Sequence, residues 1–149
     1  MDKPKLLKRD AAPSASYSAP ATGSVDSMTA ACVSELMNAA TSMHKLHLKV
    51  TGTGSFAAHK ALNELYDALP GHADDLAEGY QGAAEVLLSY TDVAPRSLSS
   101  VEDGLNYIRD MYKMVTILQT KMPYSEIVND LDTIKSTLNS IKYKLLFLK

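Results

Sequence analysis

The sequence has one cysteine and no tryptophan in 149 residues. Cys32 alone excludes an intrachain disulfide, and a reducing compartment such as the cytoplasm is the simpler expectation. No apolar run approaches the ~20 residues needed to span a bilayer, so no membrane partner is expected. The N-terminal stretch lacks the apolar core of a secretory signal, and its one Arg makes a poor transit peptide. Several chemistries are missing as well. No Glu is followed by His three residues on, which removes a di-iron carboxylate bundle built on Glu-x-x-His pairs. Gly52 and Gly54 follow no strand and lack the G-x-x-x-x-G-K-[ST] pattern, so they are no phosphate cradle. Cys32 falls on an apolar stripe, where an inert buried thiol is the common case, and nucleophilic catalysis finds no support.

What is present reads as one globular domain: 46% hydrophobic and 21% charged residues in a chain too short for two cores. The net charge of −2 is unevenly spread, because residues 1–25 carry Lys3, Lys5, Lys8 and Arg9 against Asp2 and Asp10. That stretch, MDKPKLLKRDAAPSASYSAPATGSV, is rich in Pro, Ser and Ala and is expected to be an unpacked arm. Its four cations suit DNA phosphates, with binding that fades in salt, and Leu6 and Leu7 suit a protein groove equally well.

From residue 26 to the end the pattern is helical. Ser24 or Asp26 can cap a first helix whose stripe is Cys32, Leu36, Ala39, Met43, Leu46 and Val50. His47 lies beside Leu46 and is expected to point inward or into an interface; His44, one turn earlier, is expected to be partly buried. Thr51 to Ser55 stop that helix, with Ser55 capping the next near Phe56. The second stripe is His59, Leu62, Tyr66, Leu69, Ala73, Leu76 and Tyr80. Pro70-Gly71 should interrupt or kink it at a cost of order 3 kcal/mol. Residues 81–99 read as a helix tail or short helix, then a connector broken at Pro95. A capping box at Ser99–Glu102 opens a third helix (Val101, Leu105, Ile108, Tyr112, Val115, Leu118). Pro123 separates it from a fourth (Ile127, Leu131, Ile134, Leu138, Ile141, Leu145, Leu148). The expected fold is all-α: a four-helix bundle, ferritin-like, with the long connection crossing the bundle between helices two and three. A simple up-down bundle is the alternative.

Four residues carry the chemistry. Asp74 and Glu78 stand at i and i+4, so both carboxylates leave one helix face. His59 and Asp74, fifteen apart on one helix, lie roughly 22 Å apart along it. A metal reaches N and O ligands at about 2 Å, so one chain cannot close a site with His47, His59, Asp74 and Glu78. Antiparallel copies across a two-fold axis can, and the contact is then made twice. The bland reading treats the histidines as packed core or interface residues and the acids as a solvated helix face.

The order and spacing of these four residues resemble the ferroxidase constellation of the Dps family, the miniature ferritins. The likeness implies that His47 and His59 bind iron (Fe2+/Fe3+) from one subunit and Asp74 and Glu78 from its two-fold mate. It further implies Fe(II) oxidation by peroxide or oxygen, storage of the product in a hollow dodecamer, and DNA binding through a basic tail. HKALNELYD, LAEGYQG and YKLLFL also resemble Dps-like bundles of tailed phages, some of which would be particle components; that reading makes the chain a non-enzymatic assembly protein with a docking arm. The chain departs from the family at Leu48, where the family carries Trp, and at Lys60 and Asn63, where it carries acids. The second iron position thereby loses negative charge. The N and O donor set would also fit Zn or Mn.

Overall fold

The computed structural model describes residues 23–149. These form α1 (Val25–His47), α2 (Ser55–Ala84), α3 (Val101–Lys121) and α4 (Ser125–Phe147), with no strand among the described residues. Each helix exists because its apolar positions recur on one face. Cys32, Leu36, Ala39, Met43 and Leu46 of α1 are buried, as are Ile127, Leu131, Ile134, Leu138, Ile141 and Leu145 of α4. Leu148, the last expected position, is exposed beyond the helix end.

The neighbours fix the topology. α1 packs on α2 and α3, and α4 packs on α2 and α3, so α1–α4 and α2–α3 are the diagonals. Side-chain pairs give the directions. Lys144 bonds Glu64 and Thr137 bonds His72, so α4 runs antiparallel to α2. Leu46 of α1 lies where a Cβ on Gly104 of α3 would fall, so α3 starts where α1 ends. The up-down-down-up order with one crossover is the ferritin-like arrangement of a four-helix bundle.

That crossover, residues 85–100, is extended and is strapped along α1. Asn38 donates to the Val93 carbonyl (2.8 Å), Ser42 to Arg96 (2.7 Å) and Lys49 to Leu98 (2.9 Å). Glu35, one turn before Asn38, lies 3.4 Å from the Arg96 guanidinium, which rests 4.1 Å over the Tyr107 ring. Residues 35, 38 and 42 therefore make a polar stripe on α1, spaced by three and four like an apolar one, and Lys49 continues the strap from the turn just past the helix. Glu35 is 4% exposed. Burial and the neighbouring Glu35 carboxylate push the Tyr107 hydroxyl well above its ordinary pKa.

Helix boundaries differ from expectation at several points. Ser24 is the α1 cap, accepting from the Ser27 N–H at 3.1 Å. The α2 cap is Gly54 at φ 80°, with no side-chain bond, because a left-handed residue closes the tight 51–54 turn and Ser55 is already helical. The α3 capping box is Ser100 with Asp103, one residue later than the S-x-x-E spacing suggests. Pro70 does not break α2, which runs unbroken from Ser55 to Ala84; Pro70 is exposed, on the side where water can replace its missing donor. α2 ends at Glu85, left-handed at φ 56°, and no helix follows before α3.

Candidate functional site

His47 is the last residue of α1 and His59 lies in the second turn of α2, so the short turn between the helices brings the two rings together. The rings stack with centroids 3.6 Å apart and planes 20° from parallel. The backbone completes the pair reciprocally: His47 Nδ1 donates to the His59 carbonyl (2.9 Å) and His59 Nδ1 to the His47 carbonyl (3.0 Å). A carbonyl can only accept, so Nδ1 is the donor in each ring, and Nε2 is the position left for a lone pair. That is the tautomer in which metal-binding histidines are usually held.

Stacking also limits the pair. A metal in the plane of both rings would have to lie where the planes meet, roughly 10 Å away at this tilt, whereas Nε2 reaches a metal at about 2 Å. The two rings as they stand cannot chelate a single ion, and one must turn to do so. His44 is exposed, not partly buried as expected, because its ring lies flat on Tyr66 (4.0 Å, 14°) at the helix surface. Tyr66 meets His47 edge-on at 5.1 Å and donates its hydroxyl to Asn63 (2.8 Å). Asn63 in turn donates to Asp67 at 2.7 Å, so the position where the resembled family carries an acid is tied into a local amide network.

Asp74 and Glu78 lie four and five turns further along α2. Both are exposed, and neither makes a hydrogen bond or ion pair among the described residues. Asp74 stands on the lip of a groove of about 600 Å³ between α1, α2 and the connector, floored by Val33, Met37, Ala77 and Val93. Within one chain the histidines and the acids are not brought together. Among the described residues no three His, Cys, Asp or Glu side chains are grouped closely enough to hold a metal. Lys3, Lys5, Lys8 and Arg9 lie outside the described residues.

Buried titratable groups sit elsewhere. Burial, aided by Glu35, pushes the Cys32 thiol from 9.0 up to about 12. His72, bonded to Thr137 at 2.9 Å, has its pKa lowered by burial, against the pull of Asp75 and Asp130. Sequence reasoning missed the α1 polar stripe, though its spacing beside the apolar stripe was there to be read. It also missed Gln81, whose side chain accepts from the Leu88 N–H (2.9 Å) and the Tyr90 hydroxyl (3.1 Å) and so folds the connector's first turn.

The fold and this pair define the class: an all-α crossover bundle with two imidazoles interlocked at the α1–α2 turn. The profile of a family of unknown function, DUF5856, matches residues 47–145. The protein belongs to that family, and both histidines fall inside the matched region. No curated protein and no solved structure matches the chain.

Proposed function

We propose that the protein binds and oxidises Fe(II) at a site shared by two copies, His47 and His59 from one and Asp74 and Glu78 from the other. The observation that carries this reading is the reciprocal Nδ1–H to carbonyl pairing, which brings both imidazoles to one place; one ring gives up its carbonyl bond and turns out of the stack to meet the ion. The two acids on the exposed face of α2, with no partner among the described residues, supply the negative charge that a divalent ion needs. An antiparallel pairing of two α2 helices that sets His59 against the Asp74–Glu78 turn is centred near Asp67. Asp74's groove then faces the incoming copy. Peroxide or oxygen takes the electrons, the histidines and acids position the iron, and the ferric product is stored by a closed homo-oligomer, a dodecamer in the resembled family, in the cytoplasm of the cell or of a phage host.

The test is Fe(II) titration under anaerobic conditions followed by peroxide, read by the growth of ferric absorbance. Wild type should bind Fe(II) stoichiometrically and oxidise it faster than the protein-free blank. His59→Ala and Asp74→Ala should each lose most of that rate. Rates equal to the blank, with no Fe(II) bound, sink the proposal, and Zn(II) or Mn(II) binding without oxidation would reassign the ion.

A second reading, a non-enzymatic assembly component such as a phage particle protein, is favoured by Lys60 and Asn63. The exposed Lys60 ammonium lies 5.7 Å over Phe56, one helical residue from His59, and opposes a second cation there. Unchanged Fe(II) handling in both variants, alongside intact assembly, selects this reading.

A further inference from the structure

The exposed large apolar side chains are not scattered. Leu48, Phe56, Tyr143, Leu146, Phe147 and Leu148 all stand at the end where α1 finishes, α2 begins and α4 finishes. Lys149, past the finish of α4, lies beside Gly54 at the start of α2: a Cβ on Gly54 would stand 3.4 Å from the Lys149 Cβ. Both phenylalanines of the chain are here, Phe56 at 73% and Phe147 at 69% exposed. At ~200 Å² for an aromatic side chain they present roughly 280 Å² between them, and the six residues together on the order of 600 Å². A standard interface buries about 800 Å² per partner with a little over half of it non-polar, so this patch suffices for one side.

Charge identifies what covers it. The rim is net basic: Lys45, Lys60 and Lys149 make no ion pair among the described residues, Lys144 is paired with Glu64 and Glu102 with Arg109, and the remaining acid, Asp103, is occupied in capping α3. Two such ends facing each other would set like charge against like. The opposite end of the bundle is acidic. It gathers Asp26, Glu85, Glu126 and Asp130 against Lys121. That end also carries Leu87, at 91% the most exposed large apolar residue described, beside the exposed Val86.

We propose that copies of this chain associate head to tail, the basic Phe56/Phe147 end of one docking on the acidic Glu85–Leu87/Glu126 end of the next. The contact is heterologous, using two different surfaces of each copy, so it propagates into a ring, filament or shell until closure stops it. It is separate from the shared iron site proposed above and needs no metal.

Native mass measurement in chelator at low salt tests it with two surface variants. Phe56→Ser/Phe147→Ser disables the basic end, and Glu85→Lys/Glu126→Lys disables the acidic end. Circular dichroism checks that both remain folded. Wild type should form species that grow with concentration and shrink as salt is raised. Each variant alone should lose that growth, and mixing the two should restore one contact per pair of unlike chains. His59→Ala and Asp74→Ala should assemble as wild type does, which keeps this result independent of iron binding. Wild type showing no growth overturns the proposal. So does growth of the Glu85→Lys/Glu126→Lys variant alone, which would mean that basic ends meet each other.

Discussion

Replacing Arg96 with Ala should cost about 4 kcal/mol of stability, mostly because it strands a buried acid. The Glu35 side chain is 5% exposed and its Oε1 lies 3.4 Å from Arg96 Nε. Removing one partner of a buried pair typically costs 3–5 kcal/mol, since the remaining charge keeps its desolvation penalty. The guanidinium is itself 16% exposed, which places this part of the cost at the lower edge of that range. The bond from Arg96 to Asp110 at 2.8 Å adds little, Asp110 being half exposed. Loss of the cation over the Tyr107 ring adds about 1 kcal/mol. Glu35→Gln, which removes the charge and keeps the shape, should cost only about 1–2 kcal/mol. The double variant should fall short of the sum by about 1–2 kcal/mol, the signature of a coupled pair. Urea unfolding followed by helical circular dichroism measures all three. An Arg96→Ala protein within 1 kcal/mol of wild type, or strict additivity, would refute a buried pair that anchors the connector.

Gly104→Ala should destabilise by about 1 kcal/mol: its Cβ would meet Leu46 Cδ2 at 2.9 Å, and overpacking outweighs the gain in helix propensity. Glu85→Gly should stabilise by roughly 0.5–1 kcal/mol in the same urea assay, because a left-handed cap at φ 56° strains any side chain. Cys32 should resist a disulfide reagent in the native state at mildly alkaline pH and react only on unfolding. The raised thiol pKa also sets a sign: its contribution to stability is full below 9.0 and is lost as pH climbs toward about 12. Unfolding midpoints measured across that window should therefore fall.

The helices were legible because each core stripe repeats at helical spacing, as Ile127 to Leu145 does without a gap. The crossover was legible from chain length, since the stretch between α2 and α3 is too long for a tight turn. What holds that stretch was not. Asn38, Ser42 and Lys49 bond carbonyls about fifty residues away, and a carbonyl has no letter in the sequence. Pro70 misled for a similar reason, because its cost depends on which side of α2 meets water. The His47–His59 encounter could be anticipated from the short turn between two helices, but the stacked geometry depends on backbone carbonyls at both rings. Charge at the two ends was hidden because Lys45, Lys60 and Lys149 come to one end only after the chain has folded back on itself.

The antiparallel neighbours have one more effect. At each end of the bundle two helices start and two finish, so their backbone dipoles oppose one another and largely cancel. The electrical asymmetry of the molecule is thus written almost wholly in side chains at the surface. A handful of surface exchanges could erase, invert or sharpen it while the packing beneath stays as it is.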